Sequence, residues 1–67
     1  MKKNSVKLWA ARDLNGLIYL HLKEPTLEEH TSEYMSQFFM ELPEKSFPEI
    51  TYDNSPQLVE LNLVNEI

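Results

Sequence analysis

His21, His30 and the carboxylates Glu28, Glu29 and Glu33 are the residues whose types could hold a metal ion. A zinc site needs three or four convergent ligands. His21 falls in a strand-like run, and nothing in the spacing brings His30 beside it. The expectation is no metal site, with His21 on a surface packed against Trp9 and His30 solvated. Ser32, Ser36, Ser46 and Ser55 supply hydroxyls. Nucleophilic catalysis also needs a base and an orienting group, and each serine has a turn or cap explanation instead. The adjacent Glu28 and Glu29 read as a solvated face. Gly16 is the only glycine, so no glycine-rich phosphate loop can form. A chain of 67 residues also has little room for a ligand pocket of roughly 300 Å³ or more. These points lead to a protein that is not an enzyme, with no catalytic residues and no cofactor.

Trp9, Tyr19 and His21 are the candidate interaction surface, because Trp and Tyr are enriched among the residues that dominate interfaces. The competing reading covers that face with Phe38, Phe47 or Tyr52 as a second layer of core. The leading function is a non-enzymatic protein-interaction module or accessory protein. Its partner is an unknown protein, with a homodimer as one form. The alternatives are a small ligand- or metal-binding protein or enzyme using His21 or His30, and an acidic mimic of nucleic acid.

Composition narrows the field. The net charge is −5, and the six basic residues are scattered, with only Lys2 and Lys3 adjacent. Phosphate backbones are bound by clustered cations, so direct nucleic-acid binding is disfavoured. There are no cysteines, which excludes disulfides and cysteine-ligated zinc and fits a reducing compartment. The apolar run after Met1 is broken by Lys7, too early for a signal segment, and nothing approaches a membrane span. The expectation is one small cytoplasmic domain with no membrane contact.

The elements that must position these residues start with one hairpin. Two β-prone runs, 6–12 and 17–22, flank Asp13, Leu14, Asn15 and Gly16. A two-residue loop of Asn15 and Gly16 would pair Leu8 with Lys23. A three-residue loop of Leu14, Asn15 and Gly16 pairs Arg12 with Ile18, Ala10 with Leu20, and Leu8 with Leu22. Only the second separates Leu8, Ala10, Ile18, Leu20 and Leu22 from Lys7, Trp9, Ala11, Tyr19 and His21. A one-residue slip exchanges the faces, so the three-residue loop is predicted. It sets Trp9 opposite His21, with Asp13 opening the turn and its carboxylate bonded to the turn backbone.

The remaining chain predicts strands at about 38–42 and at 57–64, the latter alternating Val59, Leu61 and Leu63 with polar neighbours. Ile50, Thr51 and Tyr52 form a candidate short strand, and 43–48 a connector with a turn of helix and Phe47 plugging the core edge. The tail 65–67 is expected to fray. The fold class is mainly β: a small antiparallel sheet of three to four strands beginning with the N-terminal hairpin. Its alternative is α+β with one short helix around 27–37, where Thr26 and Glu29 match a capping box and Leu27, His30, Tyr34 and Phe38 recur at helical spacing. The predicted core is Leu8, Ala10, Ile18, Leu20, Leu22, Phe38, Met40, Leu42, Phe47, Val59, Leu61 and Leu63. The run 6–12 has no proline and would be a poorly guarded edge if it lay outermost.

Arg12-Asp13, Gly16, Tyr19-Leu20, Pro25, Glu41-Leu42-Pro43, Phe47-Pro48-Glu49-Ile50-Thr51-Tyr52, Ser55-Pro56 and Val59-Glu60-Leu61 form a spaced pattern. It resembles a group of short uncharacterised bacterial proteins that also occur in prophages and mobile elements. The resemblance spans Ala11 to Leu61. It implies a mobile-element origin and carries no activity or functional residue. Similar sequences often contain glycine or tryptophan between the positions of Pro25 and Glu41, which favours loop and strand there; this chain departs from them with Glu28, Glu29 and no glycine, which leaves the local helix open.

Overall fold

The computed structural model describes residues 4–63, with side chains from Ser5 to Asn62. Six strands follow in order: β1 Asn4–Arg12, β2 Ile18–His21, β3 Thr26–Glu28, β4 Glu33–Met35, β5 Phe39–Leu42 and β6 Gln57–Leu63. Four form an antiparallel sheet in the order β5-β2-β1-β6, and β3 pairs with β4 in a separate hairpin. The fold is mainly β, as the alternating pattern predicts. β1 is central, so the unguarded run 6–12 is paired on both sides; the edges are β5 and β6.

The first hairpin takes the three-residue loop. Arg12 pairs with Ile18, Ala10 with Leu20 and Trp9 with His21. The Asp13 N–H donates to the Leu17 carbonyl at 2.8 Å and the Gly16 N–H to the Asp13 carbonyl at 2.9 Å. Gly16 has φ +96°, a conformation that strains other residues. Leu17 and Leu22 fall outside β2, although the Leu22 N–H still donates to the Phe38 carbonyl at 3.1 Å.

Residues 27–37 are not helical. Thr26 pairs with Met35, Leu27 with Tyr34 and Glu28 with Glu33. The connection turns through a Ser32 N–H to Glu28 carbonyl bond of 2.8 Å, with Ser32 at φ 57°. Tertiary anchoring overrides the helical spacing: Tyr34 alone of the apolar positions is buried, while Leu27 and Met35 stay exposed. A two-stranded hairpin is marginal by itself, so its docking onto the larger sheet holds it.

One face of the four-stranded sheet carries Leu8, Ala10, Ile18, Leu20, Leu42, Val59 and Leu61. Ala10, Ile18, Leu20 and Ile50 form the buried centre, with Leu8, Leu42, Phe47, Val59 and Leu61 packed around it. Burying each large aliphatic side chain contributes roughly 2 kcal/mol. Ile50 belongs to no strand; its N–H donates to the Phe47 carbonyl at 2.9 Å within a series of turns, and the connector forms no helix. The predicted core members Leu22, Phe38 and Met40 are exposed. The connector folds back over the loop end of the sheet, where Phe47 and Ile50 pack, and the described residues leave the opposite end uncovered. Leu63 as a core side chain, Val64 in the last strand and the fraying tail lie outside the described residues. The Ser55–Pro56 peptide is cis and leads into β6.

Candidate functional site

Arg12 ends β1 where the connector passes, and its guanidinium meets carbonyls only. Nε donates to Ile50 at 2.7 Å; Nη1 to Gly16 at 2.7 Å and Glu44 at 3.0 Å; Nη2 to Ser46 at 2.7 Å and Phe47 at 3.1 Å. An arginine has five N–H donors, so all are used. The Arg12 N–H also donates to Ser55 Oγ at 2.9 Å. Arg12 therefore clamps residues 44–50 over the core.

Asp13 is 5% exposed. Its Oδ1 accepts the Tyr34 N–H at 2.8 Å. The expected bond from its carboxylate to the turn backbone is absent; Asn15 takes that role, accepting the Leu17 N–H at 3.0 Å. The register places Asp13 where the second hairpin arrives, and the Leu14 N–H to Ser32 carbonyl bond of 3.1 Å secures the same joint. Burial pushes the Asp13 pKa up; the Tyr34 N–H opposes this, and Glu33 adds to it. The Tyr34 hydroxyl reaches the Tyr52 and Ser55 carbonyls at 3.0 and 3.1 Å, tying the hairpin to the turn before β6.

The candidate surface of Trp9, Tyr19 and His21 is brought together in part. Trp9 lies opposite His21, and Tyr19 follows on the same face, 6.4 Å from His21 between ring centroids. His21 is not at the surface. It is 1% exposed, whereas Trp9 and Tyr19 are half-buried. Phe39 completes the cluster, with ring centroids 5.7 Å from Tyr19 and 6.0 Å from His21. The cover expected from Phe38, Phe47 or Tyr52 comes instead from the β3-β4 hairpin near Tyr19.

His21 Nδ1 lies 2.6 Å from Ser36 Oγ, which donates to the Phe38 carbonyl at 3.2 Å. The Ser36 hydroxyl thus links the His21 ring to the Phe38 carbonyl. Its Nε2 is buried without a partner. Burial lowers the His21 pKa, and the ring is neutral at pH 7. Among the described residues no third side chain bonds to this serine and histidine, and Nε2 has no partner. His30 is exposed on the β3-β4 connection, its N–H bonded to Glu28 Oε1 at 3.2 Å. Among the described residues no three His, Asp or Glu side chains converge as metal ligands.

At the uncovered end of the core face, Leu8, Leu20, Leu22, Phe38, Phe39 and Met40 line an open groove of about 240 Å³. Leu22, Phe38, Phe39 and Met40 are each more than half exposed. Sequence reasoning placed Leu22, Phe38 and Met40 in the core because alternation reports which side chains share a face, not whether that face is covered. Arg12, Asp13, Tyr34 and Ser36 were missed as anchors. Only the adjacency of a charged pair to a turn marked the first two.

No described helix is long and apolar enough to cross a membrane. Compared with protein-family models, curated proteins and solved structures, the chain matches none.

Proposed function

We propose that this chain is a non-enzymatic interaction module that associates along β5, with a second copy of itself as the partner. The observation that carries this reading is the run of exposed Leu22, Phe38, Phe39 and Met40 beside a sheet edge. Natural proteins usually guard such edges with charges, proline or a cover. Glu41 is the one charge within β5, and Pro43 adjoins only its end. A small domain with four residues in its buried centre gains from oligomerisation, which supplies apolar burial that the single chain lacks. A two-fold axis through β5 would pair the strand with its copy and bury the same patch twice. The resemblance to short bacterial and prophage proteins supports an accessory role of mobile-element origin.

Sedimentation over a micromolar concentration series tests this reading. Wild type is expected to approach twice its 7.9 kDa mass as concentration rises, and Met40→Lys to remain at that mass. Met40 is exposed, so the substitution leaves the buried core alone. A wild-type chain that stays monomeric throughout sinks the self-association. A zinc-dependent rise in Tm, abolished by His21→Ala, would favour the metal-binding alternative instead.

A further inference from the structure

The opposite face of the sheet holds a second cavity, of about 160 Å³, lined by Asp13, Tyr19, Glu33, Tyr34, Met35 and Phe39. Cavities of roughly 150 Å³ accept a molecule the size of benzene. The Tyr19 and Phe39 rings stand nearly perpendicular at 80°, forming two walls of a corner. Tyr34 and Met35 come from β4 on the facing hairpin. The mouth is open, since Met35 and Phe39 are exposed and Glu33 is half-buried.

The charge within this cavity is one-sided. Asp13 gives Oδ1 to the Tyr34 N–H, and none of the groups that shift its pKa is a cation. Its neighbour Arg12 spends all five donors on carbonyls. Oδ2 has no donor among the described residues. Glu33 stands directly across from Glu28, a like-charge pair that destabilises a hairpin unless something neutralises it. The Tyr19 hydroxyl is held above its usual pKa by burial and then by Glu41, Asp13 and Glu33. Aromatic faces and unpaired carboxylates both favour an organic cation.

We propose that this cavity binds an alkylammonium head group. Asp13 presents one unengaged oxygen, which suits a point charge better than the planar fork of a guanidinium. Perpendicular ring walls enclose a rounded ammonium head on two sides at once. The cavity shares the Phe39 wall with the Leu8 and Met40 groove, whereas Asp13, Tyr19, Glu33, Tyr34 and Met35 belong to this site alone, and Asp13→Asn tests it without touching β5.

The test is an NMR titration of the ¹⁵N-labelled chain with choline, its neutral tert-butyl isostere and methylguanidinium. Choline is expected to shift the Tyr19, Glu33 and Tyr34 amides saturably, binding about tenfold tighter than the isostere and tighter than methylguanidinium. Asp13→Asn keeps an acceptor for the Tyr34 N–H, and Phe39→Leu changes an exposed wall; each should weaken choline binding while the amide spectrum stays dispersed. A tripeptide bearing trimethyllysine identifies the source: tighter binding than choline indicates a partner's side chain, and equal or weaker binding a free small molecule. Equal binding of choline and its isostere, preference for methylguanidinium, no saturable shift, or unchanged affinity in Asp13→Asn overturns the site.

Discussion

The Arg12 Nε–H donates to the Ile50 carbonyl at 2.7 Å, joining residues 38 positions apart and setting Ile50 into the core. Four further bonds from the same guanidinium hold the intervening backbone. Lysine has one nitrogen and cannot reach five carbonyls spread along this segment. Arg12→Lys should therefore cost about 2–3 kcal/mol, as expected when hydrogen bonds from a charged group are removed. Arg12→Ala should cost more, since it also loses the stem packing. Urea unfolding measures both; a loss below about 0.5 kcal/mol for Arg12→Lys, typical of a surface change, would show that the clamp contributes little.

His21 makes stability depend on pH. Its folded pKa lies below the ordinary 6.5 because burial disfavours the charged ring. The unfolded chain then binds a proton first, so the fold loses stability as pH falls below 6.5 towards the depressed folded value. The protonated ring carries an N–H at both nitrogens, and the buried Nε2 has no hydrogen-bond partner. His21→Leu should flatten the urea midpoint between pH 7 and pH 5, whereas wild type declines. Ser36→Ala leaves Nδ1 without its partner as well and should cost about 1–3 kcal/mol at pH 7.

Much of the sheet was legible from the sequence because its register depends on local facts. A single glycine and a turn cluster left two loops, and the segregation of Leu8, Ala10, Ile18 and Leu20 chose between them. Residues 27–37 were less legible. Their spacing fits a helix, and what decides against it is tertiary: Asp13 accepts the Tyr34 N–H and two distant carbonyls take its hydroxyl. No periodicity in the segment encodes those partners. The same limit hid the clamp. Arg12, Gly16, Phe47, Ile50 and Ser55 all lie in the spaced pattern, yet only the folded chain shows bonds joining Arg12 to the other four. The candidate surface was legible by face but not by cover, so His21 reads as exposed and is buried.

Asp13 works against stability at neutral pH. Its folded pKa is raised above 3.8, chiefly by burial. A group with that sign favours the fold fully below 3.8, and the contribution is lost as pH rises through the folded value. Asp13→Asn retains an oxygen for the Tyr34 N–H and removes the buried charge. It should stabilise the chain at pH 7 and have a smaller effect at pH 3. Asp13→Ala leaves the Tyr34 N–H unpaired and should destabilise at both pH values. Urea midpoints for the two variants separate charge from hydrogen bonding; destabilisation by Asp13→Asn at pH 7 would contradict this account.

Gly16 sets the register through its backbone, not through lack of space. At φ +96° it lies where an L side chain is strained. A Cβ built there would meet only Glu44 Oε2, at an ordinary 3.6 Å. Gly16→Ala should therefore cost about 1 kcal/mol, the usual conformational penalty, with no added clash. Gly16→Asn should cost less, because asparagine tolerates positive φ better than alanine. The Gly16 carbonyl also accepts from Arg12 Nη1, so a loop that relaxed its conformation would disturb the clamp. Combining Gly16→Ala with Arg12→Lys should then give a total loss smaller than the sum of the single losses, because each change weakens the same contact. Strict additivity in urea unfolding would show that the loop and the clamp act independently.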